Sequence, residues 1–356
     1  MTRRLTFLVP TAMLIAAAVP GTAVAHGSVP PDPPSFANLA FGWHLEPLVA
    51  IGLFAAAPGW IWLVRRIAIA HPDTPVPLGR SAAWFGGLAA IAVALLSGIG
   101  RYDTTLFSIH MVQHLLLLFI AAPLLVLAAP VTQLLRVATP DARRRVLLPV
   151  LHSTAVGAIG HPVVAWLAFT VVMWVSHFSL LFDLALENGE VHELEHALYL
   201  GTALLFWWPA IAADPARRRM GYPARVLYLL LQFPLNSFLG VAILFAPAPL
   251  YGHYASLGAP YGIAPLADQQ LAGGIMWLGG DVVFIVGVLM IVAAWMRHET
   301  RDTVAAERRA DTQRAALRDR ADRLERRRAN EAATAAAGGS AGPSGQPGSG
   351  DSSSAR

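Results

Sequence analysis

The sequence of 356 residues contains no cysteine, and only 13% of its residues are charged. Without cysteine the chain can form neither a disulfide, nor a thiolate metal site, nor a redox dithiol. A bound transition metal would therefore have imidazole, carboxylate, thioether or an N-terminal amine as its ligands. The scarcity of charge, together with 55% hydrophobic residues, excludes a soluble globular domain of this length.

The apolar residues are gathered into runs of roughly 20 residues, the length that a helix needs to cross about 30 Å of hydrocarbon. We therefore predict an all-α fold, a polytopic membrane helical bundle with about seven transmembrane helices in residues 41–296 after a signal peptide. The predicted spans are residues 41–64, 82–100, 106–128, 163–184, 191–212, 224–246 and 272–295.

The first 25 residues have the pattern of a signal peptide, with Arg3 and Arg4 before an apolar core and small residues before position 26. Cleavage there would make His26 the first residue, and its free amine beside its imidazole would suit copper(II). Residues 26–40 are then a proline-rich extracytoplasmic leader.

Arginines mark the predicted cytoplasmic side of the membrane. They concentrate in the first, third and fifth loops and after the last span, whereas the other loops hold only Arg101. By the positive-inside rule, the chain lies in the plasma (inner) membrane with an extracytoplasmic mature N-terminus and a cytoplasmic C-terminus. Residues 297–331 are rich in arginine and glutamate and predict a basic cytoplasmic helix. Residues 332–356, rich in glycine, serine and alanine, predict a disordered tail.

Five histidines fall at similar depth near the predicted extracytoplasmic ends of three spans. They are His110, His114, His177, His192 and His196. The first two and the last two form HxxxH pairs, a spacing that puts both imidazoles on one helix face. Ionisable groups within a membrane mark a functional site by default, so we predict that the five bind a metal or haem. The alternative is a hydrogen-bonded polar cluster that holds helices together.

Two carboxylates are predicted to hold these histidines in position by hydrogen bonds. Glu195 and Asp281 are expected to hydrogen-bond ligand histidines and so fix their tautomers. Asp281 suits a structural hydrogen bond to Asn236 equally well. The additional candidate ligands are His26, His253 and Met111. For Met111, filling the core is the alternative.

Residues 192–196 read HELEH, which is also the HExxH pattern of zinc proteases. In those enzymes the two histidines bind zinc and the glutamate is the general base. No third ligand with a matching signature follows, so a metalloprotease is the less favoured interpretation.

Several separated motifs carry a family resemblance. They are the stretch from Tyr102 through SIHMVQHLLLLFIAAPLLVLAAP, HP at His161, WVSHFSLLFDLAL, VHELEHALYLGTALLFWWPAI, and DQQLAGGIMWLGGD, which ends at Asp281. In this order they resemble the CtaG family of caa3-type cytochrome c oxidase assembly factors. The resemblance implies a multi-pass membrane protein that is needed for active terminal oxidase and is linked to copper supply. The residues at the family's motif positions are His110, His114, His177, His192, Glu195 and His196.

We therefore expect a membrane assembly factor, not an enzyme, that binds copper at the histidine cluster and supports its insertion into cytochrome c oxidase. Its expected partners are oxidase subunits and membrane lipid, without nucleic acid. A haem-binding electron carrier is the main alternative, because paired histidines on adjacent helices also suit bis-imidazole haem. A copper transporter is a further alternative, although it would need a polar path through Asp281 and Asn236 to the cytoplasmic side.

Overall fold

The computed structural model describes residues 29–215 and 218–338. The predicted signal peptide, His26 and residues 339–356 of the predicted tail lie outside the described residues. Within the described ranges the regular structure is helical and contains no β-strand. The predicted fold class, an all-α bundle with membrane-spanning helices, is confirmed.

The α-helices are short in the loops and long in the bundle. The first half of the chain contains α1 (Phe36–Phe41), α2 (Pro47–Ala70), α3 (Leu78–Leu96), α4 (Ile99–Tyr102), α5 (Phe107–Leu115), α6 (Ala122–Leu127), α7 (Pro130–Val137), α8 (Pro140–Ala142), α9 (Leu148–Leu151) and α10 (Thr154–Ile159). The second half contains α11 (Pro162–His177), α12 (Leu181–Glu187), α13 (Gly189–Ile211), α14 (Tyr222–Leu244), α15 (Gly252–Ser256) and α16 (Pro265–Gly338). Two π-helical segments, Leu116–Ala121 and Arg143–Leu147, and a 3₁₀ turn, Pro260–Gly262, complete the described structure.

Five helical segments of the described chain are long and apolar enough to cross a membrane, or six if one bent pair is a single span. The five are Pro47–Ala70, Leu78–Tyr102, Phe107–Val137, Tyr222–Leu244 and Pro265–Thr334. The predicted count of seven is therefore not confirmed. Helix α13 has 23 residues but is not among the five, and its first two turns carry three glutamates and two histidines.

The first span begins later than predicted. Helix α2 starts at Pro47, whereas the sequence predicts a start at residue 41. Proline suits the first helical position, because its φ is already close to the helical value and its missing N–H would have no acceptor there. Residues 42–46 before it are not helical.

The predicted span of residues 163–184 is broken in the structure. Helix α11 ends at His177 and α12 begins at Leu181, and the two are bent by 71°. The bend brings Phe182, a fully buried side chain, against the rings of His110 and His177, with ring centroids 5.1 and 5.3 Å apart. The break therefore covers the histidine cluster with an aromatic ring.

Helix α13 is central to the bundle, since it packs against α11, α12, α6 and the π-helical segment that precedes α6. Its aromatic residues form much of the core. Phe206 stacks on Phe169 of α11 at 4.7 Å and lies 6.1 Å from Phe284 of α16, and all three are buried. Complete burial of a phenylalanine side chain stabilises a soluble fold by about 1.5–3 kcal/mol, but in a membrane close packing, not transfer from water, holds such rings together.

The π-helical segment Leu116–Ala121 lies directly after His114. Its hydrogen bonds run from residue i to i−5, so the Leu118 carbonyl would be paired with the N–H of residue 123, which is a proline and has none. The indole N–H of Trp207 donates to this carbonyl at 2.9 Å. A side chain of α13 thus satisfies the backbone group that Pro123 leaves without a donor, as the apolar surroundings require.

The start of α5 is held by a residue that is distant in sequence. The Asp268 carboxylate of α16 accepts from the backbone N–H of Phe107 at 2.6 Å and from both the N–H and the hydroxyl of Ser108. This is an N-cap supplied from another helix, and it satisfies donors that a helix start leaves free. Asp268 therefore fixes the helix on which His110 and His114 lie.

The described residues from Ala293 to Gly338 belong to a second compact unit and form the C-terminal part of α16. Its charges pair along the helix, as His298 with Asp302 at 3.3 Å and Arg314 with Asp311 at 3.0 Å. Such exposed pairs stabilise a helix by about 0.2–0.5 kcal/mol each. The helix continues to Gly338, beyond residue 331, where the sequence predicts the start of the tail.

Candidate metal centre

The structure brings the five predicted histidines together from three helices. His110 and His114 lie on α5, His177 ends α11, and His192 and His196 lie on α13. The ring centroids are 4.1 Å apart for His110 and His114, 4.2 Å for His192 and His196, and 5.4 Å for His110 and His192. His114 lies 5.9 Å from His196 and 6.4 Å from His177. The HxxxH spacing therefore does place each pair on one face, and the two faces meet.

Three of these histidines are buried and have at least one ring nitrogen without a hydrogen-bond partner. Among the described residues, neither nitrogen of His110 or of His114 has a partner at hydrogen-bonding geometry, although their exposed fractions are 0% and 3%. In His177 the Nδ1 atom donates to the Met173 carbonyl at 2.7 Å, which leaves Nε2 with a lone pair and no partner. Buried polar groups are normally paired, and buried imidazoles of this kind are suited to bind a metal ion.

Two carboxylates join the cluster. Ligand atoms of His110, His192 and Glu195 lie within 4.8 Å of one another, and so do those of Asp103, His192 and His196. Glu195 was predicted to support the histidines, and its carboxylate lies among their ring nitrogens. Asp103 was not predicted from the sequence, although an acidic residue next to the start of the HxxxH helix was a usable signal.

Gln113 links Asp103 to His196. Its amide nitrogen donates to the Asp103 carboxylate at 2.7 Å and to the Ala94 carbonyl at 3.2 Å, so its amide oxygen is left as an acceptor. That oxygen lies 3.0 Å from His196 Nε2, which must therefore carry the proton. Gln113 therefore fixes both the tautomer and the position of the His196 ring.

We expect Gln113→Leu to weaken metal binding by about 10–100-fold while the protein remains folded, because the change removes the partner that orients His196 and Asp103. The measurement is a copper(II) titration of the purified protein. Gln270→Leu, an exposed glutamine of α16, is the matched control. Unchanged affinity in Gln113→Leu would show that the amide does not position the ligands.

Asp103 lies outside the membrane-spanning segments, in the turn between α4 and α5. Burial raises the pKa of Asp103 to about 7, and hydrogen bonds from Gln113 and from the Thr104 N–H act in the opposite direction. Its Oδ2 atom lies 4.0 Å from Nε2 of His192. A cation between these side chains would favour the ionised carboxylate.

The other predicted site residues lie elsewhere. Nε2 of His253 lies 2.8 Å from the Thr104 carbonyl, which places this ring beside the turn that carries Asp103. Met111 is buried in the hydrophobic core, as its alternative interpretation proposed. The Asp281 carboxylate accepts from the Ser237 hydroxyl at 2.9 Å, and within the described residues none of its hydrogen bonds reaches one of the five histidines. It links α16 to α14.

Aromatic residues enclose the cluster. His114 contacts Tyr199 at 4.6 Å between ring centroids, and the Tyr199 hydroxyl is hydrogen-bonded to Ser176. Phe182 is in turn packed against Tyr251 at 4.4 Å. The imidazoles are thus enclosed by buried side chains, where an uncompensated charge is costly.

Comparison with known proteins gives a family and three relatives. The sequence pattern of the family described as cytochrome c oxidase caa3 assembly factor (CtaG) matches residues 58–298. Proteins described as uncharacterised from Mycobacterium bovis and Mycobacterium tuberculosis are each 32% identical over 296 residues, 80% of this chain and 44% of theirs. One from Mycobacterium leprae is 29% identical over 289 residues, 79% of this chain and 44% of its own length. The chain thus spans less than half the length of these relatives. No solved structure matches.

Proposed function

The chain belongs to the cytochrome c oxidase caa3 assembly factor family, and from this premise we propose that it binds copper at the histidine cluster and supports copper insertion into the oxidase. The partners in this proposal are oxidase subunits in the same membrane and the surrounding lipid. The cluster would face the extracytoplasmic side, with the C-terminus in the cytoplasm, as the distribution of arginines predicts.

The observation that carries the proposal is the group of buried imidazoles whose nitrogens lack partners. Five histidines from three helices meet, and within the described residues the ring nitrogens of His114 are buried without a hydrogen-bond partner. Neutral imidazole is a good ligand for copper, and the cysteine-free chain offers no thiolate. A polar cluster that served only to hold helices together would be expected to pair these nitrogens with one another or with hydroxyl groups.

The geometry favours a bound metal ion over haem, and it disfavours the metalloprotease interpretation. A haem plane would have to part rings that are already in contact, since His110 lies against His114 and Phe182 and His114 against Tyr199. In the HExxH interpretation the general base would be Glu193, but this side chain is exposed, and the buried glutamate of the motif is Glu195. A base outside the cluster cannot activate a water bound within it.

The experiment compares cells with and without the gene. Deletion is expected to leave the oxidase polypeptides in the membrane but to remove their copper and their activity. Immunoblotting, elemental analysis of the purified oxidase and oxygen consumption measure these three quantities, and re-expression of the chain is the control. Oxidase that retains its copper and activity in the deletion strain would contradict the proposal.

A further inference from the structure

The cluster contains more ligands than one ion uses. Seven side chains gather there, the five histidines together with Asp103 and Glu195. Copper bound by imidazole and carboxylate typically uses four or so protein or solvent ligands, which would leave buried imidazoles or a buried carboxylate uncompensated. Resting on the proposed function of the same site, we propose that the cluster takes two divalent metal ions at two positions that share His192, whose ring would bridge them as an imidazolate, its N–H proton being released as the second ion binds.

The first position is formed by Asp103, His192 and His196, whose ligand atoms lie within 4.8 Å of one another. Gln113 holds two of these three side chains, His196 and Asp103, in position. Its amide oxygen accepts from Nε2 of His196 at 3.0 Å, and its amide nitrogen donates to the Asp103 carboxylate at 2.7 Å. Bonds of about 2.0–2.2 Å from a divalent ion to nitrogen and oxygen require only a small contraction of this group.

The second position is formed by His110, His192 and Glu195, again within 4.8 Å. The Oε2 atom of Glu195 is buried and has no hydrogen-bond partner among the described residues. The neighbouring His114, 4.1 Å from His110 between ring centroids, has two nitrogens without partners. This position therefore adds buried, unpaired ligand atoms of its own and shares only His192 with the first.

The two groups also match in charge and in ligand type. Each contains one carboxylate, so each position has one negative charge with which to compensate a divalent ion in an apolar environment. Neither group contains a thioether or a thiolate, the ligands that select copper(I). Imidazole with carboxylate suits copper(II) or zinc(II), and we therefore expect the ion to be held in the divalent state.

The test is a binding stoichiometry on the purified, detergent-solubilised full chain, stripped with a chelator and loaded with copper(II) chloride. After desalting, elemental analysis is expected to give two equivalents per chain, and electron paramagnetic resonance to show a spin-coupled pair. Asp103→Asn and Glu195→Gln are each expected to retain one equivalent and to give the spectrum of an isolated ion. Glu193→Gln, an exposed glutamate on the same helix, is the matched control and should retain two.

Every other outcome contradicts the two-ion proposal, and the outcomes can be told apart. One equivalent in the wild-type chain contradicts it and leaves a single copper site and the proposed function in place. Two equivalents retained by Asp103→Asn, or none by either variant in a folded state, contradict the division into two positions. Zero equivalents in the wild-type chain would remove the copper site itself. If a variant does not fold, as judged by gel filtration, the wild-type stoichiometry and the spin coupling still decide.

Discussion

His114→Ala is expected to cost the purified protein at least one equivalent of copper and to abolish oxidase activity in cells, while the oxidase polypeptides are still made. His114 lies in the middle of the cluster, with the rings of His110, His177 and His196 within 6.4 Å of it. Both of its nitrogens are buried and without partners, so its removal takes away a ligand and no structural hydrogen bond. The loss should exceed the about 10–100-fold that the removal of a supporting partner costs. His196→Ala should have the same effect.

The matched control is His152→Ala, which removes an exposed histidine near α9. It should retain copper and support oxidase activity as the wild-type chain does. The variants are compared by elemental analysis of the purified protein and by the copper content of oxidase from complemented deletion cells. If His114→Ala and His196→Ala leave both copper contents unchanged, the imidazoles do not form the copper site. A stable protein with less copper separates loss of a ligand from loss of the fold.

Helical periodicity explains why the approach of four of the five histidines could be predicted from the sequence. Residues four apart share a helix face, so each HxxxH pair is a local property of one helix. The meeting of the two faces required only that both pairs lie at similar depth in neighbouring spans. The structure brings His110 and His192 together as this argument predicts.

Contacts between helices explain why Asp103 could not be assigned in the same way. Asp103 joins the cluster through Gln113 and through the approach of α13, which begins more than 80 residues later in the chain. No local spacing encodes that approach. Asp281 is the opposite case. Its carboxylate was predicted as a partner of the histidines, but it accepts a hydrogen bond from Ser237 of the adjacent helix.

The break between α11 and α12 also left no signal in the sequence. Residues 178–180 read FSL and contain neither proline nor glycine, the residues that usually mark the end of a helix. The reason for the break lies in packing. Phe182 of α12 fills the space between the rings of His110, His177 and Tyr251, and a straight helix would carry it away from them.

Two helices that frame the bundle cross at glycines. A Cβ atom added at Gly273 of α16 would lie 2.6 Å from the backbone nitrogen of Leu244 and 2.8 Å from the carbonyl oxygen of Gly240. At Gly240 of α14 it would lie 2.8 Å from the backbone nitrogen of Trp277. Backbone atoms cannot rotate aside as a side chain can, so α14 and α16 can approach this closely only without side chains at the crossing.

Gly273→Ala is therefore expected to destabilise the folded bundle by about 1–3 kcal/mol, the usual cost of forcing an extra methyl group into a packed contact. The adjacent Gly274 is the matched control, because a Cβ atom there would meet nothing within 4 Å. Alanine is favoured over glycine in a helix by about 0.5–1 kcal/mol, so Gly274→Ala should be neutral or stabilising. Thermal unfolding of the two detergent-solubilised variants measures the difference. Equal unfolding temperatures would mean that α14 and α16 do not make this backbone contact in the folded protein, and the hydrogen bond from Ser237 to Asp281 across the same helix pair would lose its basis.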